Sequence, residues 1–268
     1  MLLPFFSETM SESPVFYLPA GQEVELGETA CSSQLGILIK GPTGCGKTRY
    51  VEHLAQRLGR PLITVACNED TSATDLLGRH LIVGGETVWV DGPVTRAVRQ
   101  GAMLYLDEIA EARSDALVVI HSLTDHRREL YLDRTGERIK AADDFVLLAS
   151  YNPGYQKSLR EMKPSTRQRM IGLNFDFPTP ENEVAIVSKE SGLDEKTCKK
   201  LVGMAGKIRN LSELSLLETV STRLLVSTAK LINAGLPPRM AAYAGIAEPL
   251  TDDEDGLQAL KQLIDLTF

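Results

Sequence analysis

Cysteine is scarce: Cys31, Cys45, Cys67 and Cys198 are the only four, and their spacing fits neither a paired metal motif nor a disulfide framework. A reduced, cytoplasmic setting is the expected one. No apolar run approaches the roughly 20 residues that a membrane helix needs, so no membrane span is expected. The start, Met1-Leu2-Leu3-Pro4-Phe5-Phe6, lacks a basic flank and soon meets Glu8 and Glu12, which argues against a signal peptide. Excess positive charge is missing too. A net charge of −7 and a pI near 5.3 argue against a broad basic face for nucleic acid, while leaving room for a local basic pore or groove. Neither a repeat nor a low-complexity tract occurs. What remains is an ordinary soluble composition, 43% hydrophobic and 24% charged, in 268 residues, enough for one large domain or one with an appendage.

Against that background one stretch stands out: Gly41-Pro42-Thr43-Gly44-Cys45-Gly46-Lys47-Thr48 matches G-x-x-x-x-G-K-[ST] at every fixed position. It follows the apolar run Leu35 to Ile39 and precedes a helical stripe of Val51, Leu54, Ala55 and Leu58. Strand, glycine loop and helix are the context in which backbone N–H groups and a helix N-terminus converge on a phosphate. Lys47 would reach the β- and γ-phosphates and Thr48 would ligate Mg²⁺. Cys45 fills a position that requires a small residue and needs no redox role.

Along the chain, residues 1–13 are expected to be a flexible tail, followed by a short β-prone run at Val15 to Leu18. Strands are predicted at Leu35 to Lys40, Leu62 to Ala66, Ala102 to Leu106, Phe145 to Ser150 and Leu173 to Phe177. The nearly all-apolar Ala102 to Leu106 run suits a central strand covered on both faces. Helices are predicted to about Leu58, over Thr71 to Leu77, from Pro93 to Gln100 and over Ala112 to Leu123. Two candidate hairpins interrupt this alternation. One spans His80 to Val90 around Gly84-Gly85, and a charged one joins Arg128 to Leu132 with Glu137 to Lys140. The first either carries function or is a surface flap; its Trp89 either faces a substrate or packs under its own turn. After Pro180 the period becomes helical throughout. The expected organisation is a tail over 1–13, an α/β nucleotide-binding domain with two β-hairpin insertions over 14–180, and a helical lid over 181–268.

Hydrolysing a nucleoside triphosphate requires neutralising phosphate charge and orienting a water. Asp107 and Glu108 close the apolar strand 60 residues beyond Lys47, where α/β sheets bind ligands. Asp107 is placed to hold the metal and Glu108 to polarise the water as general base. Asn152 follows the next core strand; it contacts the γ-phosphate or the water, or merely forms an Asn-Pro turn. His121, Asp125 and His126 lack ligand spacing and are read as capping and packing residues.

Together, Gly41–Thr48, Leu104-Tyr105-Leu106-Asp107-Glu108, Asn152, Ser165-Thr166-Arg167-Gln168-Arg169 and Ser221-Thr222-Arg223 resemble the Walker A, Walker B, sensor 1, arginine finger and sensor 2 of an AAA+ ATPase. The two β-insertions resemble those of the MoxR-type clade. Within it, Gly41 to Arg49, Ile120 to Arg128, Ser150 to Gln156 and Pro249 to Asp253 are similar to the CbbQ/NirQ/NorQ branch, most of all to its CbbQ members. The resemblance covers roughly residues 15 to 268. It implies an α/β P-loop AAA+ core with a central parallel sheet plus a C-terminal all-helical lid, using ATP and Mg²⁺. It further implies a homo-hexameric ring that remodels a metabolic enzyme with a von Willebrand factor A-type partner. The client it implies is Rubisco, freed of inhibitory sugar phosphates, or alternatively a denitrification reductase whose maturation is assisted. Arg169, or failing it Arg167, would act as an arginine finger on a neighbouring subunit, and Arg223 as sensor 2. Met170 departs from the aromatic that many clade members carry there. Two other classes stay open on the phosphate loop alone: a P-loop kinase, and a non-hydrolysing, nucleotide-gated binding module.

Overall fold

The computed structural model describes residues 6–9, 14–153, 164–211 and 218–268. The chain packs as two compact units, Met1–Gly41 with Lys47–Phe175, and Pro42–Gly46 with Asp176–Phe268.

The first unit is built on a six-stranded sheet. Its strands are β1 (Phe6–Thr9), β2 (Ile37–Lys40) and β3 (Leu62–Ala66), then, beyond the hairpin β4 (Gly78–Val83) and β5 (Glu86–Asp91), β6 (Met103–Asp107). A second hairpin, β7 (Glu129–Leu132) and β8 (Glu137–Lys140), precedes β9 (Val146–Tyr151) and β10 (Ile171–Asn174). The spatial order is β1-β3-β6-β9-β2-β10, parallel throughout except for the antiparallel edge strand β1. β6 and β9 lie mid-sheet and are buried along nearly their whole length, which is why they read as continuous apolar runs. The helices of this unit are α1 (Glu23–Ser32), α2 (Lys47–Leu58), α3 (Ala73–Leu77), α4 (Pro93–Gln100), α5 (Ser114–Val119) and α6 (Pro164–Arg167). Val94, Ala97 and Val98 of α4 pack on Ile63, Val65, Leu104 and Leu106 of the sheet. Each such aliphatic side chain contributes about 1.5–3 kcal/mol on burial.

The second unit is helical: α7 (Pro180–Ser191), α8 (Glu195–Arg209), α9 (Thr222–Asn233), α10 (Pro238–Ala242) continued by a π-turn at Tyr243–Ala247 and α11 (Glu248–Leu250), and α12 (Glu254–Thr267). It has its own core, including Val187, Leu201, Ala205, Leu225, Ile246 and Leu260. Inside it lies a buried ion pair. Glu183 receives two hydrogen bonds from the Arg209 guanidinium, at 2.7 and 2.8 Å, and one from the Thr222 hydroxyl at 2.6 Å. Arg209 also donates to the Val220 carbonyl at 2.8 Å and lies over the Phe177 ring at 4.0 Å. These bonds converge on the start of α9, which Ser221 caps by accepting from the Leu224 amide.

Four local expectations need correction. Within the expected tail 1–13, Phe6–Thr9 is a strand, because β3 otherwise presents an open edge and Phe6 to Thr9 pair along it. Val15 to Leu18 is no strand. Instead Tyr17 donates to Glu23, stacks near Tyr50 and His53, and leads into α1, a helix that the apolar pattern did not announce. The helix expected over Ala112 to Leu123 shortens to α5, since Ile109–Glu111 form a separate 3₁₀ turn and the chain turns again at Ile120. The last strand ends at Asn174 rather than Phe177: Phe175 turns in against Tyr50, and its amide donates to Lys40 at 2.6 Å.

Candidate functional site

Within the first unit the sheet delivers the motif residues from the C-terminal ends of adjacent strands. β2 runs into Gly41, where the backbone carbonyl of Phe175 would lie only 2.5 Å from an added Cβ. Glycine is required there for close approach. Lys47 begins α2 as a buried side chain, and its Nζ donates to the Gly41 carbonyl at 2.8 Å. The first turn of α2 carries no acidic residue, so its positive end is left for an anion. Thr48, next in that turn, donates to Oδ2 of Asp107 at 3.3 Å.

Asp107 ends β6, half-buried. Its other oxygen, Oδ1, receives the Ser150 hydroxyl at 2.5 Å and the Tyr105 hydroxyl at 2.8 Å. Ser150 in turn accepts the Glu108 amide at 3.3 Å and stands 2.9 Å from the Tyr105 hydroxyl. Burial pushes the Tyr105 phenol well above its usual range, with the Asp107 charge adding to the effect, so Tyr105 stays a proton donor. The same burial, with Asp107 and Glu108 nearby, raises the Cys67 thiol to about 12. Glu108 adopts left-handed backbone angles, φ 54° and ψ 41°, a conformation uncommon outside glycine, and its side chain is exposed. Asn152 follows β9 half-buried.

Arg167 ends α6 and Arg169 lies two residues beyond; both are exposed, and Arg169 donates to the Ser165 carbonyl at 2.7 Å. In the second unit, which includes residues 42–46, Gly44 has φ 68°, and a Cβ there would fall 2.6 Å from that of Ser221 and 3.3 Å from that of Arg223. Arg223 itself is exposed in the first turn of α9. Gly154, Tyr155 and Gln156 of the branch-like string lie outside the described residues.

The oxygen pair of Thr48 and Asp107 is a donor set that would suit a hard cation such as Mg²⁺. Among the described residues no group of three or more His, Cys, Asp or Glu is set to hold a metal on its own. His121 is engaged otherwise, 2.7 Å from the Thr166 hydroxyl. Trp89 donates to Asp91 at 2.7 Å, meets His80 edge-on at 5.1 Å and packs against the core of its unit. Among the described residues no helix is long and apolar enough to cross a membrane. Tyr105 and Ser150 are the residues that the motif reading missed. Their signal is a hydroxyl in a strand buried on both faces, which needs a partner.

Residues 36–170 match the family described as AAA domain (dynein-related subfamily), and residues 183–267 match CbbQ/NirQ/NorQ C-terminal. The protein NorQ of Paracoccus denitrificans is 57% identical, over 94% of each chain. The chain belongs to the CbbQ/NirQ/NorQ family of AAA+ ATPases. As a member it is a nucleotide-binding ATP hydrolase. The denitrification regulatory protein NirQ of Pseudomonas aeruginosa is 50% identical over 96% of this chain and 99% of that one. The protein CbbQ of Hydrogenophilus thermoluteolus is 48% identical over 98% of both. Among solved structures, NtrX from Brucella abortus matches with a TM-score of 0.60 at 17% identity, covering 94% of this chain and 60% of that one, a likeness of fold alone.

Proposed function

We propose that this family member works as a homo-hexameric ring that couples ATP hydrolysis to remodelling of a folded metabolic enzyme, together with a von Willebrand factor A-type partner. The carrying observation is that Thr48, beside Lys47 at the start of α2, is hydrogen-bonded to Asp107 at the end of β6, with Glu108 the next residue. In this reading Gly41, Pro42, Thr43, Gly44, Cys45 and Gly46 cradle the phosphates and Lys47 neutralises them. Thr48 and Asp107 would hold Mg²⁺, which would supply positive charge to offset that developing on the phosphate. Glu108 accepts the proton of the attacking water, and Asn152 orients that water or the γ-phosphate. The exposed Arg169, with Arg167 as the alternative, reaches a neighbouring subunit's nucleotide, and Arg223 reports nucleotide state to the helical unit.

Glu108→Gln is the direct test: it should bind ATP yet release phosphate very slowly, and unchanged turnover would refute the base. Mixing Arg169→Ala with Lys47→Ala subunits should restore part of the activity if the arginine acts in trans; no recovery at any ratio removes that assignment. A shift to about six subunits on adding ATP separates the ring from a P-loop kinase acting as a monomer or dimer.

For the client, the similarity to NorQ and to a protein named for denitrification regulation supports a denitrification reductase. Likeness to CbbQ, 48% identical along nearly the whole chain, supports Rubisco as a second reading. Incubating the protein, its cognate partner and ATP with each inactive client decides between them. Rescue of Rubisco carrying a tight sugar phosphate, without rescue of the reductase, would make Rubisco the client.

A further inference from the structure

We propose that Tyr105 and Ser150 are positioning residues that fix the rotation of the Asp107 carboxylate, and that Ser150 in addition holds the backbone turn at Glu108. The inference rests on the reading of Asp107 as a ligand of Mg²⁺. The two carboxylate oxygens are bonded unequally. Oδ1 receives two hydroxyl protons, from Ser150 at 2.5 Å and Tyr105 at 2.8 Å, while Oδ2 receives the longer bond from Thr48, at 3.3 Å. Charge-assisted bonds of this kind are stronger than neutral ones. Two of them on one oxygen resist rotation of the carboxylate and keep Oδ2 turned toward the helix that bears the phosphate loop.

Both donors are fully buried on the central strands β6 and β9, so the packed sheet fixes their own positions. The two differ in what else they touch. Tyr105 reaches, besides Oδ1 of Asp107, the Ser150 hydroxyl at 2.9 Å. Ser150 accepts the amide of Glu108, at the left-handed position from which that side chain projects. Loss of the Tyr105 hydroxyl should therefore disturb metal binding alone, whereas loss of the Ser150 hydroxyl should disturb metal binding and turnover together.

The test measures the Mg²⁺ concentration for half-maximal binding of a fluorescent ATP analogue, the analogue's affinity in EDTA, and phosphate release at saturating Mg²⁺. Tyr105→Phe and Ser150→Ala should each raise the Mg²⁺ requirement about five- to tenfold, with affinity in EDTA within about twofold of the parent. Tyr105→Phe should keep turnover at saturating Mg²⁺, Ser150→Ala should lose it severalfold, and Ser150→Thr, which restores the hydroxyl, should recover both. The inference is overturned if either hydroxyl deletion leaves the Mg²⁺ requirement at the parent value. It is also overturned if affinity in EDTA falls by the same factor, which would mean general damage. Asp107→Asn is the separating control. An unchanged Mg²⁺ requirement in that variant refutes the metal-ligand reading itself, whereas a raised requirement there with unaltered Tyr105→Phe and Ser150→Ala refutes only the positioning roles.

Discussion

Replacing Arg209 by methionine isolates the energetics of the helical unit. The side chain of Glu183 is 1% exposed and that of Arg209 15%, so the pair is well removed from water. Arg209→Met leaves the Glu183 carboxylate with the Thr222 hydroxyl as its remaining bond in this network, and removes the bond to Val220 and the contact with Phe177. Stranding a buried charge in this way costs about 3–5 kcal/mol. With a urea slope of about 1.5 kcal/mol per molar, the midpoint of the helical unit should fall by roughly 2 M or more. Glu183→Leu combined with Arg209→Met removes both charges, and such apolar replacement of an ion pair is often near neutral. The double variant should therefore be more stable than Arg209→Met alone. Trp89, the single tryptophan, lies in the α/β unit and supplies an internal control. Helical content followed by circular dichroism should report the loss, while the Trp89 fluorescence transition should move much less. A cost below about 1 kcal/mol for Arg209→Met, or a double variant as unstable as the sum of its singles, would refute the reasoning.

Gly41→Ala should abolish nucleotide binding or misplace the loop, because the Phe175 carbonyl cannot retreat without disturbing its amide's bond to Lys40 and its ring contact with Tyr50; calorimetric titration with ATP checks this. Glu108→Gln should lower phosphate release on the order of a hundredfold or more at unchanged ATP affinity, read from a coupled phosphate assay. Burial raises the Cys31 thiol to about 11 and the Cys67 thiol to about 12, so both should resist iodoacetamide near pH 7.5 and label only after denaturation, as seen by mass spectrometry. Arg127 holds the Asp125 carboxyl down, to about 2. That interaction is present above the ordinary carboxylate range and lost as pH falls through about 2. Asp125→Asn should accordingly trim the acid-induced loss of stability between pH 4 and 2 by a small amount, measured by acid titration of the fold.

The parallel sheet and its loop were legible because each central strand is an unbroken apolar run and the phosphate loop must keep its glycines and lysine. Both hairpins were legible from their turns, Gly84-Gly85 and Asp133 to Gly136. What escaped depends on distant partners. α1 carries Gly27 against the Tyr50 hydroxyl, a packing requirement that no local apolar stripe reveals. β1 exists because β3 offers an edge, a fact absent from residues 6–9 themselves. Phe175 reads as one more strand residue, yet its place is set by Lys40 and Tyr50. The buried pair of Glu183 and Arg209 joins residues 26 positions apart in an otherwise ordinary helical pattern.

The same distinction governs the site. Residues that touch phosphate or metal are fixed by the chemistry and so form a searchable string, whereas those that orient them need only supply a proton from the right direction. Tyr105 and Ser150 meet at Asp107 because β6 and β9 are neighbours in register, Tyr105 lying opposite Leu148 two positions before Ser150. Each looks like a chance polar letter in a core strand until the two strands are laid side by side. The client lies one step further away still. Identities of 57%, 50% and 48% to NorQ, NirQ and CbbQ extend over at least 94% of this chain, so overall likeness does not by itself choose among clients. On the proposed remodelling role, choice of client would fall to surface segments outside the strand ends, the phosphate loop and the acid pair. Exchanging surface segments between relatives while keeping Gly41–Thr48, Asp107 and Glu108 should consequently change the client without changing basal ATP hydrolysis.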